Sequence, residues 1–276
     1  MAKTAKAVVE RLKNEKRLFN TDTDTICEKE LYLYKIMPFK YFLKTIQTGK
    51  LYFSNIWNWD DPYELFFFKQ KFKNKQLEQS MTELCGRLYG QSWSKFRDSD
   101  ALWRIYSHID STGDIGVRIQ SSLQKICNLF YEKDNNMSFN PYIGFVAYKT
   151  KKYIKDWMII KDGDNAVKDH AIESLFLKRN NFSYEEEFRI ILYDDDKDNT
   201  SNAKKTKKGI EVDIDINDFI YEVAFDPRLD DDICECLKDV ILNYMDEDKR
   251  VMKSTLYHLN KEMEKGDKRI KTPEGV

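Results

Sequence analysis

The chain lacks most features that announce a chemistry. Its 276 residues include 10 glycines, and these form neither a phosphate loop nor a dinucleotide fingerprint. Three histidines, His108, His170 and His258, stand far apart with no zinc spacing, so no metal is expected. No serine sits in a nucleophile elbow. The five cysteines are odd in number and have no framework spacing, which fits a reducing compartment. Cys234 and Cys236 are two apart on a helical pattern and point to different sides. No apolar run approaches a membrane span, and the N-terminus lacks the apolar segment of a secretion signal. Neither charge is in excess. Forty-six basic against 47 acidic residues leave a net charge of -1, so no global field draws the chain to nucleic acid. A cytoplasmic protein with no membrane partner is expected.

Aromatic residues are abundant, at 14%, and exclude wholesale disorder. Residues 3–19 read as an amphipathic helix with Val8, Val9, Leu12 and Leu18 on its apolar side. Strands are expected at 31–36, 51–54, 115–120, 142–149, 187–193 and 211–225, and a further one at 88–94. Helices are expected after Pro38 as far as Gly49, over 63–86, over 100–107, after Ser121 or Ser122 as far as about Tyr131, near 166–177 and over 230–245. The pattern predicts an α+β fold, mainly antiparallel sheet with packed helices. It divides into a helical N-terminal extension over 1–30, a single domain over 31–260 and a polar tail over 261–276.

Asn181 to Leu192 reads NFSYEEEFRIIL. As a strand, it puts Phe188, Ile190 and Leu192 on one face and Glu185, Glu187 and Arg189 on the other. The second face is either a prepositioned acid and cation site or a solvated face whose charges are cross-strand neighbours. In either case the carboxylates lie outside the core, so neutralising Glu187 is expected to leave folding intact. The loop NIWNWDDPYE joins Trp57 and Trp59 to Asp60, Asp61 and Glu64. Asp61 either caps a helix starting at Pro62 or belongs to a loop that closes a pocket with its indoles. Trp93, Trp103 and Tyr106 are either core or pocket wall.

The ordered set LYLYK, LYFSNIWNWDDPYE, SWS with SDALWRIYS and IGVRIQSS, then LKRNNFSYEEEFRI resembles a bacterial and phage-associated family, domain of unknown function 2971. The resemblance runs roughly from Leu31 to Met245. More distantly, the layout resembles the ADP-ribosyltransferase superfamily. There, a first strand bears a basic or polar residue, a helix ends in glycine before a short second strand, and a late strand carries a catalytic glutamate. Lys35, Gly49, the 51–54 strand and the glutamates at 185–187 match these positions. Lysine stands where arginine or histidine is usual, and Ser54 precedes Asn-Ile rather than Thr-Ser.

The resemblance implies an ADP-ribosyltransferase-like core with NAD as substrate, acting as a bacterial toxin or phage-defence effector. Glu187, assisted by Glu185 and Arg189, would be catalytic. Lys35, Ser54, Trp93, Trp103 and Tyr106 would bind a small-molecule nucleotide, and the acceptor would be a macromolecule. Two other classes remain: a non-catalytic module that senses a nucleotide or a partner, and a magnesium-dependent nucleic-acid enzyme using the acidic strand with Asp60 and Asp61.

Overall fold

Period-two apolar patterns make strands, and the register of those strands decides where a cleft can open. A computed structural model describes residues 2–21, 31–72, 74–109, 112–130, 139–157, 159, 164–195, 204–206 and 208–258. The polar tail and most of the charged stretch between 194 and 209 lie outside these residues.

The strands are β1 (Leu18–Phe19), β2 (Tyr32–Pro38), β3 (Lys50–Asn55), β4 (Leu88–Ser94), β5 (Gly116–Ser122), β6 (Phe139–Phe145), β7 (Ala147–Lys149), β8 (Leu177–Arg179), β9 (Glu187–Asp194), β10 (Lys204–Thr206), β11 (Gly209–Asp213), β12 (Glu222–Phe225) and β13 (Arg250–Lys253). One large sheet runs β1-β6-β9-β4-β2-β5-β12-β13 and carries β3, β11 and β10 as a branch, while β7 pairs with β8 separately. Most pairings are antiparallel. β1 with β6, β12 with β13, and β7 with β8 are parallel. The fold is therefore α+β with a mainly antiparallel sheet.

The branch matters most. β4 pairs along one edge with β9 from Leu88 to Ser94. Its other edge is shared. Tyr89 and Gly90 pair with Asn55 and Ser54 of β3, whereas Ser94 pairs with Tyr34 of β2. The two neighbours splay apart between these points, and side chains bridge the fork. Lys35 Nζ donates to the Ser92 carbonyl at 2.9 Å, and the Gln91 amide donates to the Tyr52 carbonyl at 2.9 Å. Both bonds satisfy backbone acceptors that a continuous sheet would have paired.

Local signals act as expected at several boundaries. Gly49 ends the Phe39–Thr48 helix in the left-handed region at φ 64°, where glycine carries no side-chain penalty. Asp230 caps the Asp231–Leu242 helix, and Ser122 caps the Leu123–Asn128 helix. The helix expected over 63–86 is shorter. Residues 62–69 form turns, and the helix runs Lys75–Gly86 behind an Asn74 cap. Asp61 thus caps no helix. The Ala2–Asn14 helix is not an appendage, because Val8, Val9 and Leu12 are buried in the main core.

Of the two readings of β9, the half-solvated strand is excluded, since all eight of its residues are buried. Phe188, Ile190 and Leu192 enter the main core. Ile191 and Tyr193 enter a second core with Phe67, Leu84 and Ile172. The face carrying Glu187 and Arg189 is therefore covered along its length, apolar at one end and polar at the other.

Candidate functional site

The fork opens a cleft of about 1330 Å³, lined from both splayed strands, from β4 and from the loop that follows β3. Its polar centre is built from segments distant in sequence. Arg189, 1% exposed, donates Nε to Glu187 Oε1 at 2.7 Å and Nη2 to Glu64 Oε1 at 2.6 Å. Its Nη1 bonds the Leu175 carbonyl, and its guanidinium lies 4.5 Å from the Trp59 ring centre. Lys178 on β8 reaches Glu185 at 2.5 Å, Glu187 at 3.3 Å and Glu64 at 3.6 Å. Ser92 on β4 donates its hydroxyl to Glu187. Three carboxylates thus surround two cations, in a setting where charges survive only when paired and hydrogen-bonded.

These partners set the protonation states. Burial raises the Glu187 carboxyl, but Arg189, Lys178 and the Ser92 hydroxyl overcome it and hold the group well below the usual carboxylate range. Burial raises Glu185, which Lys178 only partly offsets. Burial also lowers the Lys35 ammonium to about 8, against the pull of Glu187. Tyr106 is pushed up to about 12 by the cleft walls, with Glu185 and Glu187 adding to the effect.

The candidate residues do not all meet. Glu187, Glu185, Arg189, Lys35, Ser54 and Tyr106 line the cleft. Glu185 does so from the Asn180–Glu185 3-10 turn rather than from the strand, because Glu186 turns the chain at φ 41°. Trp103 does not line it. Its indole is fully buried with Ile36 and Leu102, so it is core rather than a ligand platform. Trp93 borders the cleft, but its indole packs in the main core, with Nε1 donating to Gln91 Oε1 and an edge contact to Phe219. Strand alternation is the reason, since Ser92 and Ser94 take the other face. The Ser54 hydroxyl accepts from Trp59 Nε1 at 3.2 Å and so positions an indole. Nor is Glu187 outside the packing, because it is 4% exposed.

Glu64, Lys178 and Trp59 join the site beyond the residues that the resemblance implies. The acids of NIWNWDDPYE and the bases of LKR and EEEFR are the visible signal, because two of those acids meet those bases. Asp61 meets Arg179 at 3.0 Å and Glu64 meets Arg189. Gly90 is the matching signal for Trp59. A Cβ there would lie 2.3 Å from Trp59 Cζ2, so only glycine lets the indole lie against β4. Gly90→Ala is expected to displace Trp59 and cost about 1–3 kcal/mol, as overpacking does. Urea unfolding and tryptophan fluorescence check this, and an unchanged midpoint with an unchanged spectrum would refute it.

Among the described residues no group of three or more His, Cys, Asp or Glu is arranged to hold a metal ion, and no helix is long and apolar enough to cross a membrane. No family model, curated protein or solved structure matches the chain.

Proposed function

We propose that the cleft is the active site of an NAD-consuming enzyme, a transferase or glycohydrolase of the ADP-ribosyltransferase type. It would belong with the family domain of unknown function 2971 and act as a bacterial toxin or phage-defence effector. One observation carries the reading. A carboxylate held ionised, Glu187, lies on the wall of a large cleft between splayed strands, on the late strand where the resemblance calls for it. Breaking the bond from nicotinamide to ribose builds positive charge on the ribose while nicotinamide leaves neutral. A fixed carboxylate lowers the energy of that charge. Arg189 is committed to Glu187 and Glu64. Lys35, whose ammonium donates to the Ser92 carbonyl and has no carboxylate in an ion pair among the described residues, is the better partner for a pyrophosphate.

Lys35 gives the reading a pH signature. Its amine is charged below about 8 and neutral above it. Affinity for an anionic nucleotide should therefore fall as pH rises through that value. Calorimetric titration with ADP-ribose between pH 6.5 and pH 9 should show this loss, and Lys35→Met should weaken binding and flatten the profile. A profile unchanged by the substitution would remove Lys35 from the site.

A second reading, a non-catalytic nucleotide-sensing module, is favoured by the 4% exposure of Glu187 and its full set of partners. The magnesium reading is weaker, because Lys178, Arg189 and Arg179 already occupy Glu185, Glu187, Glu64 and Asp61. Incubation with NAD, with and without cell extract as a source of acceptor, separates the first two. Nicotinamide release supports the enzyme. Binding without release supports the module, and protein that neither binds nor consumes NAD sinks the enzyme reading.

A further inference from the structure

One ion pair on the cleft wall is left half satisfied. Asp61 Oδ1 accepts from Arg179 Nη2 at 3.0 Å and from the Tyr63 backbone N–H at 3.0 Å. Asp61 Oδ2 and Arg179 Nε are enclosed and have no hydrogen-bond partner. An arginine can pair side-on with a carboxylate through Nε and Nη2 together. Here the pairing uses one oxygen, so an acceptor and a donor are left over within a single pair. The Asp61 side chain is only 9% exposed, and Asp61 and Arg179 both line the cleft. The other enclosed polar atoms without a partner among the described residues belong to Arg87, Arg118 and Asn128, none of which lines the cleft. Buried polar atoms are nearly always paired, so such a couple at a cleft calls for an explanation.

Neighbouring rings shape the approach. The Arg179 guanidinium lies 4.3 Å from the Tyr63 ring centre and 5.0 Å from that of Phe182. Neither ring carries a group bonded to Arg179 Nε, which keeps its donor. The pair is neutral as a whole, so it offers no net charge to a phosphate. Its chemistry suits a flat, uncharged group that presents an N–H donor beside an acceptor.

We propose that Asp61 and Arg179 form a recognition pair for an amide-type edge of a planar ring, with Oδ2 accepting the ligand N–H and Nε donating to its acceptor. Entry requires the half-buried Phe182 ring to yield. This inference rests on the reading of the cleft as a nucleotide site, and it assigns that site a specificity element. Two sources carry such an edge, the carboxamide of nicotinamide and the amino-pyrimidine edge of adenine.

Calorimetric titration of the full chain with two ligand pairs tests it. Nicotinic acid replaces the carboxamide donor of nicotinamide with a carboxylate, and purine riboside lacks the amino donor of adenosine. The wild-type chain should prefer the donor-bearing member of at least one pair by about tenfold or more, because a site built to hydrogen-bond rejects the analogue that cannot. Asp61→Asn, nearly isosteric, should reduce that preference to about twofold. Arg179→Lys, which keeps the charge but loses the Nε donor, should weaken the preferred ligand about tenfold with little change in melting temperature. The pair that responds identifies the source. No preference in the wild-type chain, or the same preference in folded Asp61→Asn, overturns the proposal. NAD consumption with an Asp61-independent preference defeats this inference alone. An Asp61-dependent preference without nicotinamide release defeats the enzyme reading alone.

Discussion

Glu187→Gln is expected to lower nicotinamide release from NAD about a hundredfold or more, the scale for removing one preorganised electrostatic stabiliser. The side chain keeps its size and can still bond Ser92, so the lost quantity is charge. The structure adds a second expected effect. Glu187 shares Arg189 and Lys178 with Glu64 and Glu185, and neutralising it leaves two buried cations with less compensation. Folding stability should fall by about 2 kcal/mol, the order of a hydrogen bond to a buried charged group. Glu64→Gln separates the two effects. It disturbs the same cations but leaves the Glu187 carboxylate in place, so it should lose comparable stability and far less turnover. Glu186→Gln is the control, because its carboxylate lies 33% exposed on Lys95 and should matter to neither measurement. Equal turnover losses at all three positions would mean that the segment has only a structural role.

Arg189→Met should be among the most destabilising single changes in the described chain, about 3–5 kcal/mol, because it strands Glu187 and Glu64 in the interior. The Leu175 carbonyl loses a donor, and Trp59 loses the cation against its ring. The pH dependence gives a sharper check than the size. In the wild-type chain the Glu187 carboxyl titrates lower folded than unfolded, so its contribution is present above the unfolded value, near 4.3 for a glutamate, and is lost as pH falls through the folded one. Without Arg189, the strongest opponent of burial is gone and the Glu187 carboxyl moves up. Protonation then relieves the variant as pH falls from 7 toward 5. Urea midpoints should therefore converge for variant and wild type on acidification. A difference that stays constant with pH would refute the buried-pair account.

The local elements were legible because their causes are local. Gly49 stops a helix, Ser122 and Asp230 start helices, and alternation marks β2, β4, β5 and β9. The 63–86 stretch is helical only toward its end, because three consecutive phenylalanines carry no helical period and residues 62–69 are turns that bury Leu65, Phe67 and Phe68 in the second core. β9 held an unread signal. Ile191 and Tyr193 share a face with Arg189, and two apolar residues there already argue against water on that face.

By itself, the sequence determined where most of the strands and several of the helices lie, that the sheet is mainly antiparallel, and that acids and bases cluster on three short segments. Periodicity and capping act over a few residues and can be read along the chain. Only the tertiary structure decided which acid meets which base, since Asp61 and Arg179 are 118 residues apart and Glu64 and Arg189 are 125 apart. It also decided that Tyr106 faces the cleft while Trp103, three residues earlier, is core. Alternation says that a face is covered but not by what. The fork of β4 between β2 and β3 supplies the answer, because it leaves a gap where side chains must do what a neighbouring strand would have done.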